Sequence, residues 1–158
     1  MPRIYLCTHI NAPVQRCFDL SRSIDLHMKS TSHTKEFAID GVTSGLIGLH
    51  ESVTWKAKHF GVWQKLTSRI TEFQYPDYFV DEMEKGIFKS FRHEHHFRKN
   101  EDGLTEMVDN FVYSSPLGIL GVVADNLFLK KYMSDLLCRR NHMIKEVAES
   151  NQWLGILK

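Results

Sequence analysis

The chain has 158 residues and a mass of 18.4 kDa, with 42% hydrophobic and 25% charged residues. Twenty Lys and Arg against nineteen Asp and Glu leave a formal charge of +1, which excludes a nucleic-acid binder driven by bulk positive charge and argues against long disordered tails. The length fits one domain, residues 1–158, long enough to bury a core without a disulfide or metal staple.

Arg3–Ile10 alternates Ile4, Leu6 and Thr8 against Tyr5, Cys7 and His9, the pattern of a strand. Asn11-Ala12-Pro13 then opens a helix with Pro at its first position, and Val14, Cys17 and Phe18 share one apolar face. Ser21–His27 is expected to hold a turn and a second short helix, and Ser30–Thr34 reads as a polar loop. Gly41, Gly45 and Gly48 divide the next stretch into a short strand and turns.

Longer strand-like runs follow at Glu51–Phe60, Trp63–Phe73, Tyr78–Glu84, Phe88–Lys99 and Leu104–Tyr113. The last two flank Asn100-Glu101-Asp102-Gly103, a hairpin signal. Runs spaced in this way predict an antiparallel meander, and their length favours a curved sheet. After Ser115-Pro116 the period changes. Leu120, Val123, Leu127, Leu129, Met133, Leu137, Ile144 and Val147 form an apolar stripe at helical spacing, which predicts a helix of about 30 residues, or about 45 Å. One long helix can cover the concave face of a curved sheet.

Three cysteines, Cys7, Cys17 and Cys138, are odd in number and widely spaced, and no C-x-x-C occurs. A reducing cytoplasm is the expected compartment. No apolar run reaches the about 20 residues of a membrane span, and Met1–Ile10 does not read as a secretory signal. No phosphate-binding glycine motif or nucleophile elbow is present.

Several motifs resemble one superfamily. Ile10-Asn11-Ala12-Pro13 followed by Phe18-Asp19-Leu20 resembles the opening of the START-like, birch-pollen-allergen-like (SRPBCC) superfamily. Glu51-Ser52-Val53-Thr54-Trp55, Gly86 with Phe88, His93 with Phe97, and Thr105-x-Met107-x-Asp109 are similar to its bacterial branch of polyketide cyclase or dehydrase and coenzyme-Q-binding-protein-like sequences. Tyr113-x-x-Pro116-Leu117-Gly118 and Arg140 match the C-terminal part of that branch. The resemblance runs from Arg3 to Glu149. It implies an α+β helix-grip fold, with about six or seven antiparallel strands wrapped around the C-terminal helix and a cavity between them. Its motifs are signatures of the fold rather than of one reaction.

Residues two apart on a strand face the same way. The face of Trp55 carries Val53, Ala57 and His59, while its opposite is rich in Lys and Ser, so the Trp55 face is taken as concave. Phe79, Asp81 and Met83 form the analogous set on the Tyr78–Glu84 run, and Phe91, His93, His95 and Phe97 on the next. The resemblance implies that Thr105, Met107, Asp109, Phe111 and Tyr113 face inward. Leu120, Ala124 and Leu127 complete the expected lining from the helix, with access around Ile119–Phe128. This wall is mostly aromatic, as ligand cavities are. Its buried charges need partners, so Asp81 and Asp109 are expected to pair with His93 or His95, and Arg140 to reach a carboxylate.

The expected function is the binding or carriage of a small hydrophobic molecule: a lipid, an isoprenoid quinone or an aromatic metabolite. Two alternatives stand beside it. One is a cyclase or dehydratase using His93, His95 and Asp109 as acid and base; the other is a protein-interaction module with a filled core. His93-x-His95 could serve a metal given a third ligand such as His59 or Asp109, but two histidines at strand spacing assign none. No cofactor and no nucleic-acid partner is expected, and a monomer and a homodimer both remain open.

Overall fold

Seven strands form one antiparallel sheet: β1 (Arg3–Ile10), β2 (Phe37–Gly41), β3 (Ser52–His59), β4 (Val62–Gln74), β5 (Tyr78–Lys85), β6 (Ser90–Lys99) and β7 (Thr105–Ser114). Their spatial order is β1-β7-β6-β5-β4-β3-β2, so the first and last strands meet and the rest is a meander. The computed structural model describes residues 1–115, 118, 120, 123 and 125–158.

Alternation sets the inner face. On β6, Phe91, His93, His95 and Phe97 are buried, and on β7 so are Thr105, Met107, Asp109, Phe111 and Tyr113. The turn between them is closed by Asn100, whose Oδ1 accepts the Leu104 N–H at 2.9 Å, with Gly103 at φ +80°. On β4 the alternation breaks. Leu66, Ser68 and Ile70 face in, but the pairing with β5 shifts between Ile70 and Glu72, so Phe73 also packs on the core. A bulge of this kind bends the strand and re-aims its side chains. At Gly41, φ is +75° and a Cβ would run into the Ser52 carbonyl, so only glycine fits where β2 meets β3.

Two short helices fill the first connection. α1 (Val14–Ser21) buries Cys17, Phe18 and Leu20, with Pro13 just outside it at the N-cap rather than at its first turn. α2 (Ile24–Ser30) follows a short turn, starts where Ser23 caps it by accepting the Leu26 N–H, and runs three residues past the expected His27. Ser32–Thr34 forms a 3₁₀ turn where a plain loop was expected. The regular part of the C-terminal helix, α3, is Lys130–Ala148, preceded by a π-helical turn at Asp125–Leu129. α3 buries Leu137, Arg140, Asn141, Ile144, Val147 and Ala148, one stripe at helical spacing. A last turn, α4 (Trp153–Ile156), was not expected from the sequence; Arg16 stacks on its Trp153 at 4.0 Å. Among the described residues no helix is long and apolar enough to cross a membrane.

α3 lies in the concave side of the sheet, which makes this a helix-grip α+β fold. The core has two parts. Around Phe18 the rings of Phe73, Tyr75, Phe79 and Phe97 meet edge-on at 5.1–5.3 Å. Towards the other end, Ile4, Phe88, Phe91, Phe111, Tyr113 and Leu137 form a second cluster. The candidate site lies between sheet and helix.

Candidate functional site

Strand register builds the polar centre. Asp81 on β5 sits opposite His93 on β6, and His95 sits opposite Asp109 on β7. All four side chains leave the same face of the sheet. α3 delivers Arg140 and Asn141 onto them, one turn beyond Leu137.

Asp109 is fully buried and well satisfied. Asn141 donates to its Oδ2 at 2.6 Å and His93 Nε2 to its Oδ1 at 2.8 Å. His95 Nδ1 lies 3.2 Å and Arg140 Nη1 3.4 Å from the same oxygen. Burial alone would raise its proton affinity, but the two imidazoles and Arg140 outweigh that and hold the carboxyl well below its ordinary value. An ionised carboxylate only accepts, so the proton of neutral His93 sits on Nε2 and Nδ1 keeps a lone pair. Burial and the neighbouring His95 push the His93 imidazole down to about 4, so it is neutral at pH 7. Arg140 also donates to Asn141 Oδ1 at 2.9 Å and to the Ser21 carbonyl at 3.1 Å, which fixes α3 to α1. The expected Arg140–carboxylate pair is therefore present, and its carboxylate is Asp109.

Above this centre is a cavity of about 190 Å³. Its walls include Trp55 and Ala57 from β3, Leu66 from β4, Phe88, Phe91 and Phe111, and Leu129, Met133, Leu136 and Leu137 from the helix side. A second chamber of about 100 Å³ shares Trp55, Ser68, Asp81, His93, Leu137 and Arg140 with it. At the outer rim stand Phe60, 60% exposed, and Tyr132, whose hydroxyl meets His59 Nδ1 at 2.6 Å. A second polar group lies on the side wall. His27 Nε2 and Glu36 Oε1 are 2.5 Å apart, and the His27 ring packs on Trp55 at 4.3 Å. Burial opposes ionisation of Glu36, but the charge and hydrogen bond of His27 prevail and lower its pKa.

The structure brings Trp55, His59, Asp81, Phe91, His93 and Phe111 to the larger chamber, and Phe79 and His95 to the smaller. Asp109 lies beneath the two histidines and lines neither chamber. Met107 is packed in the core against the Ser21 hydroxyl, and Tyr113 against Phe88. Met83 packs on the second core cluster. Leu120 and Leu127 correct the expected lining, being 72% and 73% exposed. Leu129 faces the cavity, and positions two apart on a helix fall on nearly opposite sides, so Leu127 turns outward. Ala124 lies outside the described residues, as does part of the expected access segment Ile119–Phe128.

His27, Thr31, Glu36 and Tyr132 were missed. The first three sit on a short helix and the turn and loop after it, where no periodicity points a side chain anywhere. Tyr132 was detectable as a neighbour of Met133, once the helix phase is taken from Leu129 and Leu137. Asp81, His93 and His95 each bring one donor atom within 4.8 Å of the others, so the third group beside the histidine pair is Asp81 rather than His59 or Asp109.

No protein-family model matches the chain, and no curated protein matches it. Solved structures do. The protein TTHA0849 from Thermus thermophilus superposes with a TM-score of 0.72 at 16% identity, covering 93% of this chain and 99% of that one. The ginseng major latex-like protein 151 from Panax ginseng gives 0.68 at 13% identity, over 94% and 98% of the two chains. Ara h 8.0201 gives 0.65 at 9% identity, over 90% and 97%. At these identities the likeness is one of fold. The fold is birch-pollen-allergen-like.

Proposed function

We propose that the protein binds a small, mainly aromatic or apolar molecule that carries one polar group. The observation behind this reading is the chamber of about 190 Å³, with Trp55, Phe88, Phe91 and Phe111 in its walls and Asp81, His93 and Arg140 at its polar end. Burying ligand surface there is worth about 25 cal/mol per Å², and the polar end fixes orientation. The volume lies below the about 300–1,000 Å³ typical of drug-sized ligands. It favours a compact aromatic metabolite over a whole lipid or isoprenoid quinone. The space also argues against an interaction module with a filled core.

Cyclase or dehydratase chemistry would draw on His93, His95 and Asp109. A base with a pKa of about 4 is weak at neutral pH, and Asp109 is sealed from the chamber, so binding is the preferred reading. The motifs quoted above support a place in the bacterial branch of START-like proteins. The free thiols of Cys7, Cys17 and Cys138 accord with a reducing cytoplasm.

The test is titration with the fluorescent probe N-phenyl-1-naphthylamine. Ala57 is 3% exposed and lines the chamber, so Ala57→Leu adds three carbons to the space. Saturable binding to the native chain, weakened at least tenfold in a folded A57L variant, is expected. Absence of saturable binding, or equal binding in both, overturns the reading.

A further inference from the structure

Two polar atoms at the floor of the cavity lack a hydrogen bond among the described residues. His95 Nε2 and Asp81 Oδ1 are buried without a hydrogen-bond partner among the described residues, whereas the buried carboxylate of Asp109 is bonded at both oxygens. His95 is 2% exposed. Its Nε2 stands 4.0 Å from Asp81 Oδ2, too far for a hydrogen bond. Arg140 does not fill the gap, because its guanidinium is directed at Asp109, Asn141, the Ser21 carbonyl and the other ring nitrogen of His95. Among the described residues no Lys or Arg pairs with Asp81; its polar neighbours on the cavity wall are His95, His93 and Ser68.

His93 completes the set. Its ring is 3.8 Å from that of His95, and with Nε2–H donated to Asp109 its Nδ1 keeps a lone pair. His95 Nδ1 lies 3.4 Å from Arg140 Nη2, which donates to it when the ring proton is on Nε2, and 3.2 Å from Asp109 Oδ1; ligation through Nε2 requires the tautomer with the proton on Nδ1, facing Asp109. One carboxylate beneath two imidazoles is the arrangement that orients histidine ligands in metal sites. One donor atom from each of Asp81, His93 and His95 lies within 4.8 Å of the others. Bonds of about 2.0–2.2 Å to a common ion bring such atoms to about 3.4 Å, so binding would draw the three side chains together.

We propose that Asp81, His93 and His95 bind one divalent transition-metal ion, of the kind of Zn²⁺ or Fe²⁺, with its remaining positions open to the cavity. Two imidazoles and one carboxylate suit these ions, whereas Ca²⁺ and Mg²⁺ take all-oxygen sets. Arg140 offsets Asp109, so the charge of Asp81 is left for the ion. The inference goes beyond ligand binding and does not depend on it, since the probe is the metal alone.

The chain has nine histidines, and a surface group of Cys7, His9 and Glu106 also clusters. The test must therefore locate the ion. The untagged, chelator-stripped chain is titrated with Co²⁺, read by visible d–d absorption and calorimetry, and then displaced by Zn²⁺. The expected result is one Co²⁺ per chain, with affinity reduced at least 100-fold in folded Asp81→Asn and His95→Gln variants. A Cys7→Ser, His9→Gln double variant keeps the native affinity. Zn²⁺ also moves the ring nitrogen shifts of His93 and His95 in the native chain, a readout that needs no variant. Absence of one-equivalent binding overturns the proposal. So does binding that survives in D81N and H95Q, is lost in the surface variant, or leaves the His93 and His95 nitrogens unmoved.

Discussion

Glu36 shows how a single side chain was hidden in the sequence and is defined by its surroundings. It follows a lysine in a polar stretch, with no periodicity to place it. In the fold its side chain is 12% exposed and meets His27 at 2.5 Å on the cavity wall. Its folded pKa lies below the ordinary value, because His27 overcomes the cost of burial. The stabilisation is therefore fully present above the unfolded pKa of about 4.3, and it is lost as pH falls through the lower folded value. Glu36→Gln is expected to melt below the native chain at pH 6, with the gap closing as pH drops below 4. Thermal melts across pH 3–6 check this, and a gap that stays constant over the range contradicts it. The Asp109 group was easier to anticipate. Two histidines and one aspartate on adjacent inner faces have to find each other, and Arg140 falls in the apolar stripe of a helix that covers them.

At the scale of the element, legibility followed regularity. β6 and β7 alternate strictly, and their inward residues are the ones the alternation names. β4 was ambiguous because the bulge past Ile70 swaps its faces, so no single register describes it. The far end of the C-terminal helix misled for a related reason. Leu120, Val123 and Leu127 continue the apolar stripe on paper, yet all three are exposed, and the π-helical turn at Asp125–Leu129, which contains Leu127, precedes the regular helix α3. α1 is held by one residue above all. Phe18 is fully buried with four aromatic rings edge-on to it, from β4, from Tyr75 after it, from β5 and from β6. Phe18→Ala leaves a cavity as well as losing the contacts, at a cost of about 3–5 kcal/mol. Urea denaturation is expected to show a midpoint lowered by that energy divided by the slope, with the slope itself unchanged. A loss below about 1 kcal/mol would mean that α1 is not anchored there.

The whole molecule joins local and distant pairings. Consecutive strands from β2 to β7 pair with their neighbours in the chain, which is why a meander could be read from spacing alone. The closing pair, β1 with β7, sets Ile4 opposite Phe111 and could be anticipated only through the resemblance. A sheet closed in this way curves around α3, and the space left between them depends on side chains from five strands and from both α2 and α3. The sequence named the sheet's share of that lining better than the helix's, since strand alternation is fixed by the pleat while helix phase depends on where the helix begins. The central claim is that a small aromatic ligand with a polar group sits in this space, against Trp55 and beneath α3. Among the three tryptophans, Trp55 is buried at 8%, whereas Trp63 is 46% exposed and Trp153 is part-buried beside Arg16. The most direct measurement is a two-dimensional ¹H–¹⁵N spectrum of the chain titrated with 1-naphthol. Saturable shifts are expected at the Trp55 indole and at amides of Phe91, His93, Met133 and Leu137. Shifts confined to Phe60, Trp63 and Leu127, with Trp55 unmoved, would place the ligand on the outer surface and contradict the claim.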